Sequence, residues 1–317
     1  MNPTTALRFI TTDEILRTLT MTDAIRAVRD AFVELSTGRA LVPSRTSLEI
    51  PGRSTTALVM PAYLPRTERI GLKLISLCED NPAKGLPLAQ AVTIVMDAAN
   101  GTPLAILDAG YLTAVRTGAA SGVATDVLAR EDARVAAVFG AGVQGRTQLE
   151  AVAAVRSLRK AFIFDIDARA AADFAVEMGG KLGVDVEPAA SPRALRDADI
   201  VCTATTSAMP VFSDADLKPG AHINAIGSYK PHVREVPGET VRRAAVFVDE
   251  RRSSLEEAGD LIIPLRQGLF GEDHIRAEIG EVLAGLKPGR TSEDEITLFK
   301  SVGNAVLDLA VAGLVAG

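Results

Sequence analysis

An α/β protein with a doubly wound parallel sheet, plus a smaller α+β domain, is the fold this sequence predicts. Three observations carry it. The apolar run Val135-Ala136-Ala137-Val138-Phe139 leads into Gly140-Ala141-Gly142-Val143-Gln144-Gly145, a G-x-G-x-x-G loop, and a helical stretch comes after it. From Arg134 onward, short apolar runs alternate with helical segments, the pattern of a parallel sheet. Earlier in the chain, strand-like runs are divided by Pro/Gly turns instead.

Taken in order, residues 22–37 read as a helix that Thr22 or Asp23 can cap. Ile25, Val28, Phe32 and Leu35 follow helical spacing, and Gly38 stops it. Strand-like runs come next at 45–50, 56–60, 70–77, 91–97 and 103–107. The turns between them include Pro51-Gly52, Asn81-Pro82 and Asn100-Gly101, which favour an antiparallel sheet. An Ala-rich helix over 112–128 carries Arg116. The parallel sheet then takes 135–139, 161–165, 200–204, 221–226 and 245–249 as strands, with 183–186 as a candidate edge strand. A last helix from Ser292 to Val315 offers an Ala/Leu/Val face suited to packing on the first domain or across a subunit boundary.

The glycine loop has a physical logic of Rossmann type. Gly140 permits the tight turn, Gly142 lets backbone approach a pyrophosphate, and Gly145 lets helix and strand pack closely. The helix from Arg146 to Arg156 then points free N–H groups and a positive dipole end at phosphates. Asp165 ends the second strand, where a carboxylate accepts from a ribose 2′-hydroxyl. That carboxylate repels a 2′-phosphate, so NAD(H) is favoured, with NADP(H) as the alternative. Arg169 is either a partner for such a phosphate or a solvated charge on the next helix.

At 317 residues the chain has room for two domains. Its 47% hydrophobic and 23% charged content suits a globular enzyme. A net charge of −6 and a pI near 5.3 leave no basic face for nucleic acid or an anionic membrane. No apolar run is as long as a membrane span, and Met1-Asn2-Pro3-Thr4-Thr5 lacks the regions of a signal peptide, so cytoplasm is expected. Cys78 and Cys202 are too few for a disulfide framework, and Cys202 reads as a small buried strand residue. His222, His232 and His274 lack metal-ligand spacing, so no metal is expected.

Further segments occur in a telling order: Arg45, Gly71-Leu72-Lys73, Thr113-Ala114-Val115-Arg116-Thr117-Gly118-Ala119, the glycine loop, Ile223-Asn224-Ala225-Ile226-Gly227-Ser228 and Ser301-Val302-Gly303-Asn304. Over nearly its whole length the chain resembles the ornithine cyclodeaminase/mu-crystallin family. The resemblance implies a homodimer whose substrate-binding and dimerisation domain takes 1–128 with 303–317, and whose dinucleotide-binding domain takes 129–302. It implies that Arg45 and Arg116 grip a substrate carboxylate, for which Arg has the bidentate geometry that Lys lacks. It makes Lys73 a proton shuttle to the substrate nitrogen, or a second partner for the carboxylate. The residues agree on Lys73: it interrupts an apolar strand on the face of Gly71 and Ile75, and a buried lysine costs several kcal/mol unless paired. The same resemblance carries Val143 and Gln144 to the pyrophosphate, Asp165 to the adenosine ribose, Ile226 and Ser301 to the nicotinamide, and Val302 to the substrate. Thr206 would lie along the nucleotide; its other reading is a turn residue that caps the adjoining segment.

Two positions depart from ornithine cyclodeaminases. Those enzymes carry an Asp two residues after the glycine of N-A-x-G, where this chain has Tyr229. They carry a Glu three residues before the proline of M-P, where it has Leu58. Ring closure with loss of ammonia needs such bases, whereas hydride transfer to a ready-made imine needs a clamped carboxylate, a nicotinamide and one proton source. The expectation is therefore an imine reductase acting on a small cyclic imino acid such as Δ1-pyrroline-2-carboxylate, with Tyr229 or Ser228 lining the pocket. The rivals are ornithine or lysine cyclodeamination, an alanine-type amino-acid dehydrogenase, and a non-catalytic nucleotide binder.

Overall fold

The computed structural model describes residues 7–189 and 191–317. Its contacts divide the chain into two compact units, residues 1–116 with 304–317, and residues 117–303.

Unit 1 opens with β1 (Arg8–Ile10), α1 (Thr12–Thr18) and α2 (Met21–Ser36). The cap of α2 is Thr20, not Thr22 or Asp23: the Thr20 side chain accepts from the Asp23 N–H at 3.1 Å, so the helix starts one residue early. Gly38 ends it at φ +69°, a left-handed conformation that glycine adopts freely. The strands β2 (Thr46–Glu49), β3 (Thr55–Leu64), β4 (Arg69–Cys78), β5 (Ala89–Asp97) and β6 (Pro103–Asp108) pair antiparallel in sequence order. β1 adds to β6 in parallel, a strand that no sequence pattern announced. Period-two alternation sorts β4 into two faces: Gly71, Lys73 and Ile75 are buried, while Ile70 and Leu74 are exposed.

Helix α3 (Gly110–Leu128) crosses from one unit to the other, and the division falls between Arg116 and Thr117 rather than after residue 128. The second half of α3 packs with unit 2: a Cβ on Gly118 would sit 2.5 Å from the Thr147 carbonyl oxygen, and Thr125 Oγ1 accepts from Asn224 at 2.9 Å.

Unit 2 continues with β7 (Val135–Phe139), α4 (Val143–Val155), β8 (Lys160–Phe164), α5 (Ala168–Leu182), β9 (Asp185–Pro188), β10 (Ile200–Thr203) and β11 (His222–Ala225). Then come α6 (Gly238–Arg243), β12 (Ala245–Val248), α7 (Arg251–Glu257), α8 (Gly259–Arg266), β13 (Ile275–Glu278), α9 (Ile279–Leu283) and β14 (Thr297–Lys300). The eight strands pair in parallel in the order β13-β12-β14-β11-β10-β7-β8-β9. Both faces are covered: Val135, Ala137 and Phe139 join one buried cluster, while Ala136 and Val138 join another with Leu149 and Phe174.

The expected helix from Ser292 is a correction. Residues 297–300 form β14 between β11 and β12, because the run Ile296-Thr297-Leu298-Phe299 is wholly buried, and a short apolar run fits a central strand as well as a helix. The helix itself, α10 (Ala305–Ala316), starts at the Asn304 cap, belongs to unit 1, and packs on α2, β3, β4 and β5. No helix among the described residues is long and apolar enough to cross a membrane.

Candidate active site

In unit 2, the residues that sequence assigned to a dinucleotide gather at the carboxyl ends of the parallel strands. Gly140 follows β7, Asp165 follows β8, Thr206 lies beyond β10, Ile226 follows β11 and Ser301 follows β14. The order reverses at β7, with β8 on one side and β10 on the other, so a switch-point crevice opens at these ends.

The glycine loop is shaped for a close-lying phosphate. Gly140 has φ +102°, and a Cβ there would meet the Ala204 carbonyl oxygen at 2.5 Å. A Cβ on Gly145 would meet the Gly140 carbonyl oxygen at 2.0 Å. Over Gly142 nothing lies within 4 Å, so its backbone is open to a ligand. Gly142 also caps α4 without a side-chain hydrogen bond, which leaves the first-turn N–H groups at Val143 and Gln144 for an anion. Val143 is exposed, and the Gln144 Oε1 is buried with no partner among the described residues.

The Asp165 carboxylate accepts from Ala141 N at 2.7 Å and Asp167 N at 2.9 Å, so it braces the loop while staying exposed for a hydroxyl donor. Arg169, in the first turn of α5, is almost fully exposed and 4.0 Å from Asp173. Among the expected residues, Thr206 is exposed, Ile226 is buried, and Tyr229 is half-buried in the loop after β11. These groups fit a dinucleotide with a free 2′-hydroxyl: open backbone at the pyrophosphate, a helix N-terminus, and an acceptor at the ribose.

Two buried acids that no sequence motif singled out hold this edge together. Asp249, just past β12, accepts through Oδ2 from Ser301 Oγ at 2.7 Å, Val302 N at 3.0 Å and Gly303 N at 2.8 Å. Glu235 accepts from Thr205 N and Oγ1 at 2.6 and 2.7 Å, from Thr203 Oγ1 at 3.0 Å, and from Gly227 N and Ser228 N at 2.8 and 3.1 Å. It thereby ties the ends of β10 and β11. Burial, and next the charge of Asp260, push the Glu235 carboxyl above the usual range. Lys300 supplies the balancing charge, 2.9 Å from Asp260 Oδ2. Cys202 and His222 are buried strand residues; His222 meets Thr297 Oγ1 at 2.9 Å, and burial pushes its ring down to about 3.

Unit 1 brings the expected cations together. Lys73 Nζ donates to Asp308 Oδ1 at 2.8 Å, and Arg116 Nε donates to the same oxygen at 3.1 Å. Lys73 and Asp308 are each 2% exposed at the side chain. Burial lowers the Lys73 ammonium most, Asp308 offsets part of this, and the Arg116 and Arg45 charges lower it further, to about 8. Burial alone would raise the Asp308 carboxyl, but Arg116 and Lys73 outweigh it and hold it below the usual range. Arg45, half-buried just before β2, therefore acts on the same cluster. The acid that pairs Lys73 was not anticipated; its signal was a single charge within the apolar run Ala305–Ala316. Lys73, Arg116 and Arg45 carry three positive charges against the one negative charge of Asp308, a net positive cluster suited to a small organic acid.

A model of the ornithine cyclodeaminase/mu-crystallin family matches residues 7–317. A Δ1-pyrroline-2-carboxylate reductase of Bacillus cereus is 39% identical over 305 residues, which cover 96% of this chain and 94% of that protein. Among solved structures, Thermococcus litoralis Δ1-pyrroline-2-carboxylate reductase in complex with NADH and L-proline superposes with a TM-score of 0.95 at 42% identity, covering 98% of this chain and 96% of that one. An archaeal alanine dehydrogenase dimer with bound NAD gives 0.92 at 35% identity, covering 98% and 95%.

Proposed function

The chain belongs to the ornithine cyclodeaminase/mu-crystallin family, and from that membership we propose that it is an NADH-dependent imine reductase that takes Δ1-pyrroline-2-carboxylate to L-proline. The observation that carries the reading is the buried cluster of Lys73 and Arg116 on one Asp308 oxygen, with Arg45 acting on it. Arg116 and Arg45 bind the substrate carboxylate, which fixes the adjacent C=N bond. Lys73, with its proton affinity lowered to about 8, gives up a proton to the imine nitrogen at neutral pH. Reduced nicotinamide, when bound, supplies the hydride to the imine carbon. Imine, NADH and one proton thus become amine and NAD⁺, and no ammonia is released.

On the nucleotide side, the N–H groups at Val143 and Gln144 take the pyrophosphate and Asp165 takes the ribose, which favours NADH over NADPH. Ile226 and Ser301 border the nicotinamide, and Thr206 lies along the nucleotide. Glu235 and Asp249 keep that edge rigid. Tyr229 and Val302 border the substrate. Cyclodeamination fits less well: Leu58 lies on the Lys73 face of the sheet, one pair along from Met60, and supplies no carboxylate there.

The working form is a homodimer, and the face of unit 1 that bears exposed Leu48, Ile70, Leu74 and Val92 supports this. Two free thiols, Cys78 and Cys202, suit a reducing compartment such as cytoplasm. The test is NADH oxidation by purified protein with Δ1-pyrroline-2-carboxylate, with L-proline as the product. Proline and ammonia formed from ornithine, with no turnover of the imine, would replace this reading with cyclodeamination.

A further inference from the structure

Asp308 is the only charged side chain of α10, and it is 1% exposed. Its Oδ1 receives two cationic donors from different elements, Lys73 on β4 and Arg116 on α3. Its Oδ2 is buried and has no partner among the described residues. The charged groups that act on Lys73 are Asp308, Arg116 and Arg45; those that act on Asp308 are Arg116 and Lys73. Beside Lys73 on its own sheet, the paired positions are Met60 on β3 and Thr93 on β5, neither of them charged. One buried carboxylate oxygen therefore holds two cationic donors, and a third cation, Arg45, acts on one of them, Lys73. Without the carboxylate, the least costly response is for the lysine, the only one of the three cations that titrates readily, to shed its proton.

We infer that Asp308 is a positioning residue for the clamp: it keeps Lys73 charged and fixes the Lys73 and Arg116 donors relative to each other. For its catalytic consequence the inference rests on the reductase reading; for the charge state it rests on unit 1 alone. A rigid helix carries the carboxylate, so the two donors are held before substrate arrives.

The experiment titrates the Lys73 side chain by NMR of protein labelled with ¹³C at lysine Cε, which is tractable because the chain has eight lysines. The Lys73 signal is assigned by its loss in Lys73→Arg. Native protein is expected to titrate near 8, and Asp308→Asn, which keeps the shape and removes the charge, about one unit or more lower. The alkaline limb of kcat/KM should move with it, while a structural defect would lower the rate equally at every pH. NADH binding, read by fluorescence, verifies that the variant is folded. An unmoved midpoint in folded Asp308→Asn overturns the inference. Should that variant not fold, Asp308→Glu decides: the inference requires a midpoint within about half a unit of native, and a fall of a full unit overturns it. A shifted midpoint in a protein that does not reduce the imine would sink the reductase reading and leave the positioning role standing.

Discussion

At the scale of single residues, chemistry is set by which charges burial forces together. In the proposed reaction Lys73 is the proton donor, and its proton affinity, lowered by burial to about 8, predicts a pH dependence. Reduction needs the ammonium form, so kcat/KM should hold steady through neutrality and fall as pH rises through about 8, tenfold per unit beyond it. Steady-state rates between pH 6 and about 10 check this; a limb set by the ordinary lysine range would separate Lys73 from the proton transfer. Of these cations, Lys73 stood out in the sequence because a lysine inside an apolar strand demands an explanation, whereas Arg45 and Arg116 were marked only by the family resemblance. The counter-charge did not stand out. Asp308 lies 235 residues from Lys73 along the chain, and a lone aspartate in an Ala/Leu/Val helix gives no pointer to its partner. Glu235 and Asp249 were hidden for the same reason: an acid that accepts from backbone N–H groups of distant loops leaves no local pattern.

Elements follow their patterns wherever a period or a stop signal is present. The β7–Gly140–α4 unit forms as its sequence requires, because each glycine sits where a Cβ would strike backbone or close an opening. The run from Ser292 forms a strand rather than a helix because a buried stretch as short as Ile296-Thr297-Leu298-Phe299 carries no decisive period, and only neighbouring strands decide its state. One contact between elements is open to a sharp test. A Cβ on Gly71 of β4 would lie 2.8 Å from Leu309 Cδ1 and 3.1 Å from its Cβ, so α10 rests directly on bare backbone. Gly71→Ala should lift α10 from the sheet and loosen Asp308 from Lys73. The expected cost is about 1–3 kcal/mol in denaturant unfolding, with a larger loss of imine reduction than of NADH binding. Equal stability with full activity would mean that α10 is not seated by this contact.

On the scale of the whole molecule, the chain is acidic, with a net charge of −6, while Lys73, Arg116 and Arg45 concentrate positive charge at one cluster of unit 1. Two units were legible because turn-rich strands give way to strand–helix alternation at a definite place. Their boundary within α3 was not, since one helix can serve two cores without any change in its composition. The sheet face opposite Lys73 carries Leu48, Ile70, Leu74 and Val92 in the open, each more than a third exposed. If this face joins two copies, Leu74→Asp should yield monomers in sedimentation while NADH binding persists. A variant that still sediments as a dimer would move the interface elsewhere.

Unit 1 is built from the two ends of the chain, with the whole of unit 2 encoded between them. During synthesis, Lys73 and Arg116 emerge from the ribosome long before their counter-ion is translated. A high contact order of this kind delays closure of the first core. The lysine–aspartate pair can therefore form only after the strands of unit 2 have been translated. Until α10 docks, Lys73 and Arg116 lack the carboxylate that joins them, so that docking completes the cluster.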